Sequence, residues 1–174
     1  MNRNTIPLFA AALLVVSAPL SAQAEFLDPD WSAFSIEGVA APDWIAGEND
    51  GNYIALCTAC EGTMMFEVKV LPDDGTGGRV ASGETTADRF TEIGSANAAT
   101  LGGDADYYGT EDIEYGSAQG FSTRARGATG DYSATYQLWN DGKQLLIRVY
   151  GADQAEVDAM ASKVYEAAAP VTFR

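Results

Sequence analysis

Tyr132-Ser-Ala-Thr-Tyr-Gln-Leu-Trp-Asn-Asp-Gly-Lys-Gln-Leu-Leu-Ile-Arg-Val-Tyr150 decides the fold. Apolar and polar residues alternate on both sides of Asp141-Gly142, the period of a half-buried strand. Asp-Gly suits the central pair of a type I′ turn. If Asn140 pairs with Lys143, Leu138 faces Leu145, Tyr136 faces Ile147 and Ala134 faces Val149. One turn then collects six apolar side chains on one face, as a sound register should. Upstream, a tight connection at Gly127-Ala-Thr-Gly130 would set Ala125 against Tyr132, Thr123 against Ala134 and Phe121 against Tyr136. Three consecutive antiparallel strands are expected.

The other face of these strands would carry Ser122, Arg124 and Arg126, then Ser133, Thr135 and Gln137, then Arg148 and Tyr150. In this register Arg124 faces Ser133, with Tyr150 beyond it, and Arg148 faces Thr135. Guanidinium forks suit carboxylate oxygens, so Arg124, Arg126, Arg148 and Tyr150 form a candidate surface for an anion or a protein partner. The competing expectation is that these arginines pair with local acids such as Asp131 and Glu114.

Downstream, Asp153-Gln-Ala-Glu156 is a capping box, and Val157, Met160, Ala161, Val164 and Ala168 recur at helical spacing. Pro170 is expected to end this helix, and Val171-Thr-Phe173 to add a short strand. Upstream, Tyr53–Thr58 and Met64–Leu71 have strand composition, with Phe66, Val68 and Val70 on one side and Glu67 and Lys69 on the other. Pro72-Asp-Asp-Gly-Thr-Gly-Gly78 is expected to be a loop. A helix should start near Thr85, with Phe90, Ile93 and Leu101 near one face. Asp104–Tyr115 is expected to be mostly an acidic loop. Trp31, Phe34 and Ile36 should reach a core. The class is α+β: an antiparallel sheet of about five to seven strands, with the C-terminal amphipathic helix and one further helix packed on it.

The stretch YQLWNDGKQLLIRVYGADQAEVDAMASKVYEAAAPVTF resembles the closing hairpin, helix and final Phe of PsbP-like and Ran-binding-type α/β sandwich domains. The resemblance implies a small non-catalytic accessory domain. It supplies no catalytic residues, and the two cysteines are not part of the family pattern.

Those cysteines lie in Ala55-Leu-Cys-Thr-Ala-Cys-Glu-Gly-Thr-Met-Met65, the only two in the chain. A redox CxxC places its first cysteine at a helix N-terminus, whereas strand periodicity follows Cys60. A soft-metal site could join Cys57 and Cys60 to Met64. Neighbouring strand residues point to opposite faces, so only one of Met64 and Met65 could take part. The leading expectation is a local disulfide that fixes the turn.

At the start, a basic residue, an apolar run from Ile6 to Val16 and the small-x-small pattern Ala22-Gln-Ala24 predict a secretory signal over residues 1–24. The expected mature chain, residues 25–174, is one globular domain, secreted, and periplasmic in a bacterium. Of 10 Lys and Arg only Arg3 precedes Glu25, and none of the 25 Asp and Glu does, so this part carries 9 − 25 = −16. Such a surface repels nucleic acid and anionic lipid. No run is long and apolar enough for a membrane span.

The chain has no histidine. This excludes Ser-His-Asp and Cys-His catalysis and CxxCH haem attachment. Neither GxSxG nor GxxxxGK[ST] occurs, and no cofactor signature is present. Asp104, Asp106 and Glu111-Asp-Ile-Glu114 lack the spacing of a twelve-residue calcium loop. The expected function is non-catalytic binding of an unknown protein or small molecule, or accessory work. The alternative is thiol–disulfide redox or copper handling through Cys57 and Cys60.

Overall fold

The computed structural model describes residues 27, 29–36, 43–49, 51–60 and 62–173. The expected signal segment lies outside the described residues. Seven antiparallel strands are β1 (Trp44–Asn49), β2 (Asn52–Cys57), β3 (Met64–Pro72), β4 (Asp106–Tyr115), β5 (Ala118–Arg126), β6 (Tyr132–Asn140) and β7 (Lys143–Gly151). They form one sheet in the order β1-β2-β3-β7-β6-β5-β4. Helices α1 (Thr76–Ala81) and α2 (Ala87–Leu101) carry the chain from β3 to the far edge. Three hairpins return it to β3, and α3 (Gln154–Thr172) follows. This is the expected α+β class. No helix of the described residues is long and apolar enough to cross a membrane.

The β6–β7 hairpin has the expected register, with Leu138 opposite Leu145, Tyr136 opposite Ile147 and Ala134 opposite Val149. Asp141 and Gly142 adopt φ of 48° and 72°, the left-handed pair that a type I′ turn needs. The β5–β6 register differs from expectation by one residue. Ala125 faces Ser133, Thr123 faces Thr135 and Phe121 faces Gln137. The cause is the connection. Arg126 pairs with Tyr132, and the Gly127 N–H donates to the Asp131 carbonyl at 2.8 Å, so the loop holds 127–131 rather than 127–130. One extra residue turns every β5 side chain over.

The two faces are covered by different helices. Under α3 lie Phe66, Val68, Leu138, Leu145, Ile147 and Val149, all fully buried with Val157, Ala161, Val164 and Ala168 of the helix. Trp31, Phe34 and Ile36 are buried in the same core, as expected. Phe34 sits 4.6 Å from Tyr53, ring to ring, and 6.5 Å from Phe66. On the opposite face, Phe121 packs 4.8 Å from Phe90 of α2 and 6.2 Å from Trp139. Gly94 of α2 accepts the Tyr107 ring, which would overlap any Cβ there. Of the expected helical trio only Phe90 is sheltered; Ile93 and Leu101 are 48% and 68% exposed. The helix rests on the edge of the sheet along a narrow line.

Four further expectations are corrected. Asp104–Tyr115 is mostly strand β4, not loop. Tyr107, Thr110, Ile113 and Tyr115 suit a pleated surface, and the acids between them blunt a free edge against further pairing. The Gly-rich stretch after Pro72 contains α1. Asp73 Oδ1 accepts from the Gly75 and Gly77 N–H groups at 3.0 and 3.1 Å, holding its first turn. The cap of α2 is Thr86, whose hydroxyl accepts from the Arg89 N–H, one residue beyond Thr85. Finally, α3 runs through Pro170 to Thr172, so Val171–Phe173 is no strand. Proline removes one donor, but the Phe173 N–H still reaches the Ala169 carbonyl at 2.9 Å. Burial of Ala168, Ala169 and Thr172 holds the last turn against the sheet.

Candidate functional site: a carboxylate-rimmed cavity

The cysteines form the expected disulfide, with Cα atoms 5.7 Å apart. Cys57 ends β2 on the α3 face, between Trp44 of β1 and Met64 of β3. The Thr58 N–H donates to the Asp43 carbonyl at 2.7 Å, tying the same turn to the start of β1. The bridge therefore fixes the point where three strands begin or end.

The four residues expected to form one polar surface are divided by the register change. Arg124 lies on the α3 face, where its Nε donates to Asp158 Oδ1 at 2.8 Å and its Nη1 to Glu111 Oε2 at 3.1 Å. Burial opposes its charge, but the Asp158 hydrogen bond and carboxylate outweigh this and hold its pKa above the ordinary value. Arg126, on that face too, covers the Tyr132 ring at 5.3 Å and approaches Asp104 at 3.8 Å. Arg148 and Tyr150 point the opposite way. Arg148 Nη1 donates to Glu67 Oε1 at 3.2 Å. Burial pushes the Tyr150 hydroxyl pKa up; Arg148 opposes that shift and Glu67 adds to it. The arginines pair with acids, as the competing expectation held, although the acids are Asp158, Glu111, Asp104 and Glu67 rather than Asp131 and Glu114.

The acidic residues of β4 do not gather into a metal cage. Among the described residues no group of three or more His, Cys, Asp or Glu is placed to hold a metal ion. Alternation along the strand sends Glu111 to the α3 face, while Asp112 and Glu114 project to the α2 face beside Phe121 and Gln119.

On that α2 face lies a cavity of about 660 Å³ between the α1–α2 turn and β4–β5. Phe121 forms apolar wall, Val80 closes one side, and Thr85 and Thr86 bring hydroxyl groups. Asp112 and Glu114 bring two carboxylates, and no basic residue lines it among the described residues. A second cavity of about 280 Å³ adjoins it through the shared Ala81 and Gln119 and reaches Trp139. The Trp139 indole N–H is fully buried and has no hydrogen-bond partner among the described residues. A buried donor left unpaired costs about 1–3 kcal/mol.

Sequence reasoning missed this site for two reasons. The four-residue reading of the β5–β6 loop put Phe121 on the wrong face, and reading β4 as loop hid the shared direction of Asp112 and Glu114. The available signal was the alternation from Thr110 to Glu114, which leaves two acids on one side of a strand. No protein-family model matches the chain, and a search of curated proteins finds no match.

Proposed function

We propose that the chain is a secreted, extracytoplasmic binding domain, periplasmic in a bacterium, that holds a small organic cation without transforming it. The observation that carries this reading is the 660 Å³ cavity, which pairs an apolar Phe121 wall with the Asp112 and Glu114 carboxylates and contains no basic residue among those described. Ligand sites combine apolar walls with a few placed polar groups, and this volume falls in the usual range for them. The carboxylates would receive an ammonium group, Phe121 and Val80 the carbon skeleton, and Thr85 and Thr86 any hydroxyl. The disulfide and the N-terminal signal pattern support an oxidising compartment outside the cytoplasm. A binding role also agrees with the accessory character implied by the PsbP-like resemblance.

Calorimetry with phenethylammonium chloride, and with the neutral 2-phenylethanol as control, tests the reading. The ammonium should bind and the alcohol should not. Asp112→Asn with Glu114→Gln should weaken ammonium binding by roughly 10-fold or more, since each well-placed charge contact contributes about 1 kcal/mol or more. Equal affinity for the alcohol, or unchanged affinity in the double variant, would refute it.

A further inference from the structure

A third cavity, of about 390 Å³, lies against the disulfide on the α3 face, away from the carboxylate-rimmed one. Cys60, Met64 and Met160 all line it, with Trp44 beside them and Glu156 and Lys163 at its helical side. Cys57 faces Met64 directly across β2 and β3. The turn, β3 and α3 thus bring two cysteine and two methionine side chains to one corner of the core. Met65, the neighbour of Met64, pairs with Leu56 and Tyr150 on the opposite face and takes no part.

We propose that this corner is a copper(I) site that opens when the disulfide is reduced. Thiolate and thioether donors are soft and select copper(I) over harder ions. A structural role for the methionines accounts for the burial of Met64, which is 6% exposed. Met160, packed against the core as Cys60 is, lines the same cavity. The chemistry balances with a thiol reductant. Two equivalents of thiol cleave the Cys57–Cys60 bond by exchange, leaving two protein thiols and one molecule of reductant disulfide. Copper(I) then replaces both thiol protons and is held by two thiolates, with the Met64 and Met160 sulfurs completing its shell. Re-oxidation of the cysteines removes the thiolate ligands, so metal affinity follows the redox state of the pair.

The full-length protein is reduced anaerobically with dithiothreitol, desalted, and titrated with copper(I) in acetonitrile against a chromophoric copper(I) chelator. One copper per chain should be retained, and the oxidised protein should retain none. Met160→Leu and Met64→Leu should each lower the affinity roughly 10-fold or more, while Met65→Leu should leave it unchanged, and Cys57→Ser should abolish retention. Circular dichroism of each variant checks that the sheet is intact. The proposal is overturned if the reduced protein competes no better than Cys57→Ser, or if Met160→Leu binds as tightly as the parent. Loss of the sheet on reduction, with no recovery on adding copper(I), would overturn it too. None of these results depends on the Asp112–Glu114 cavity.

Discussion

Gly120 lies in β5 on the α3 face, so close to the Gln137 backbone that a Cβ in its place would overlap the Gln137 carbonyl. The obstruction is main chain rather than the end of a flexible side chain, and two paired strands would have to separate to relieve it. Gly120→Ala should therefore lower stability by about 1–3 kcal/mol or more, the cost of overpacking a core. Urea denaturation measures this; a loss under ~0.5 kcal/mol, the range of neutral surface changes, would show that β5 does not lie against β6 as described. Arg124 makes a related point at lower stakes. Its two acid partners are unequally sheltered, Glu111 being 71% exposed and Asp158 33% exposed. The Asp158 contact, which joins β5 to α3, carries most of its structural effect.

At the scale of elements, the loop between β5 and β6 sets the most. Its five residues decide that Phe121 meets Phe90 and Trp139, and that Arg124 meets Asp158. Deleting Ala128 should do far more than shorten a loop. Loop entropy alone would change stability by well under ~1 kcal/mol. A forced one-residue slip would instead drive Phe121 toward α3 and Arg124 toward α2, with a loss of several kcal/mol or no folded protein. Thermal unfolding distinguishes the two, and a melting temperature within ~3 °C of the parent would contradict the described register.

The same loop marks the limit of what could be read from residues. The β6–β7 hairpin was legible because Asp141-Gly142 names its turn type and the flanking alternation has one consistent register. Helix α3 was legible from Asp153 and its apolar spacing, though not its passage through Pro170, which depends on burial of the last turn. Gly127–Gly130 names no turn type, since whether Asp131 belongs to loop or strand depends on packing that only the assembled sheet supplies. Strand β4 was hidden because acidic composition suggests solvent, and an edge strand with one open side is permitted that composition. Beyond the shared side of Asp112 and Glu114, the cavity could not be read, because its walls need α1, the α1–α2 turn and β4–β5 in their final places.

Across the whole molecule, charge and tyrosine burial govern the response to solution conditions. The hydroxyl pKa values of Tyr53, Tyr150 and Tyr165 are raised from 10.0, in each case first by burial. A raised folded value means that the native state keeps its proton longer than the unfolded chain. The associated stability is fully present below pH 10.0 and is lost as pH rises through the raised values. Urea midpoints should thus be flat from pH 8 to 9.5 and fall at pH 11, and Tyr150→Phe should reduce that fall. A midpoint that rises at pH 11 would reverse the assigned sign.

The proposed binding also belongs to this scale, because a strongly acidic surface concentrates cations around the whole protein, whereas the Asp112–Glu114 cavity would hold an organic cation at one place. Titrating isotope-labelled protein with phenethylammonium chloride at 0.15 M salt, and following backbone amide chemical shifts, separates the two effects. Saturable shifts should cluster in residues 80–86 and 112–121. Shifts centred instead on Arg148 and Tyr150, or spread over the acidic surface without saturating, would contradict it.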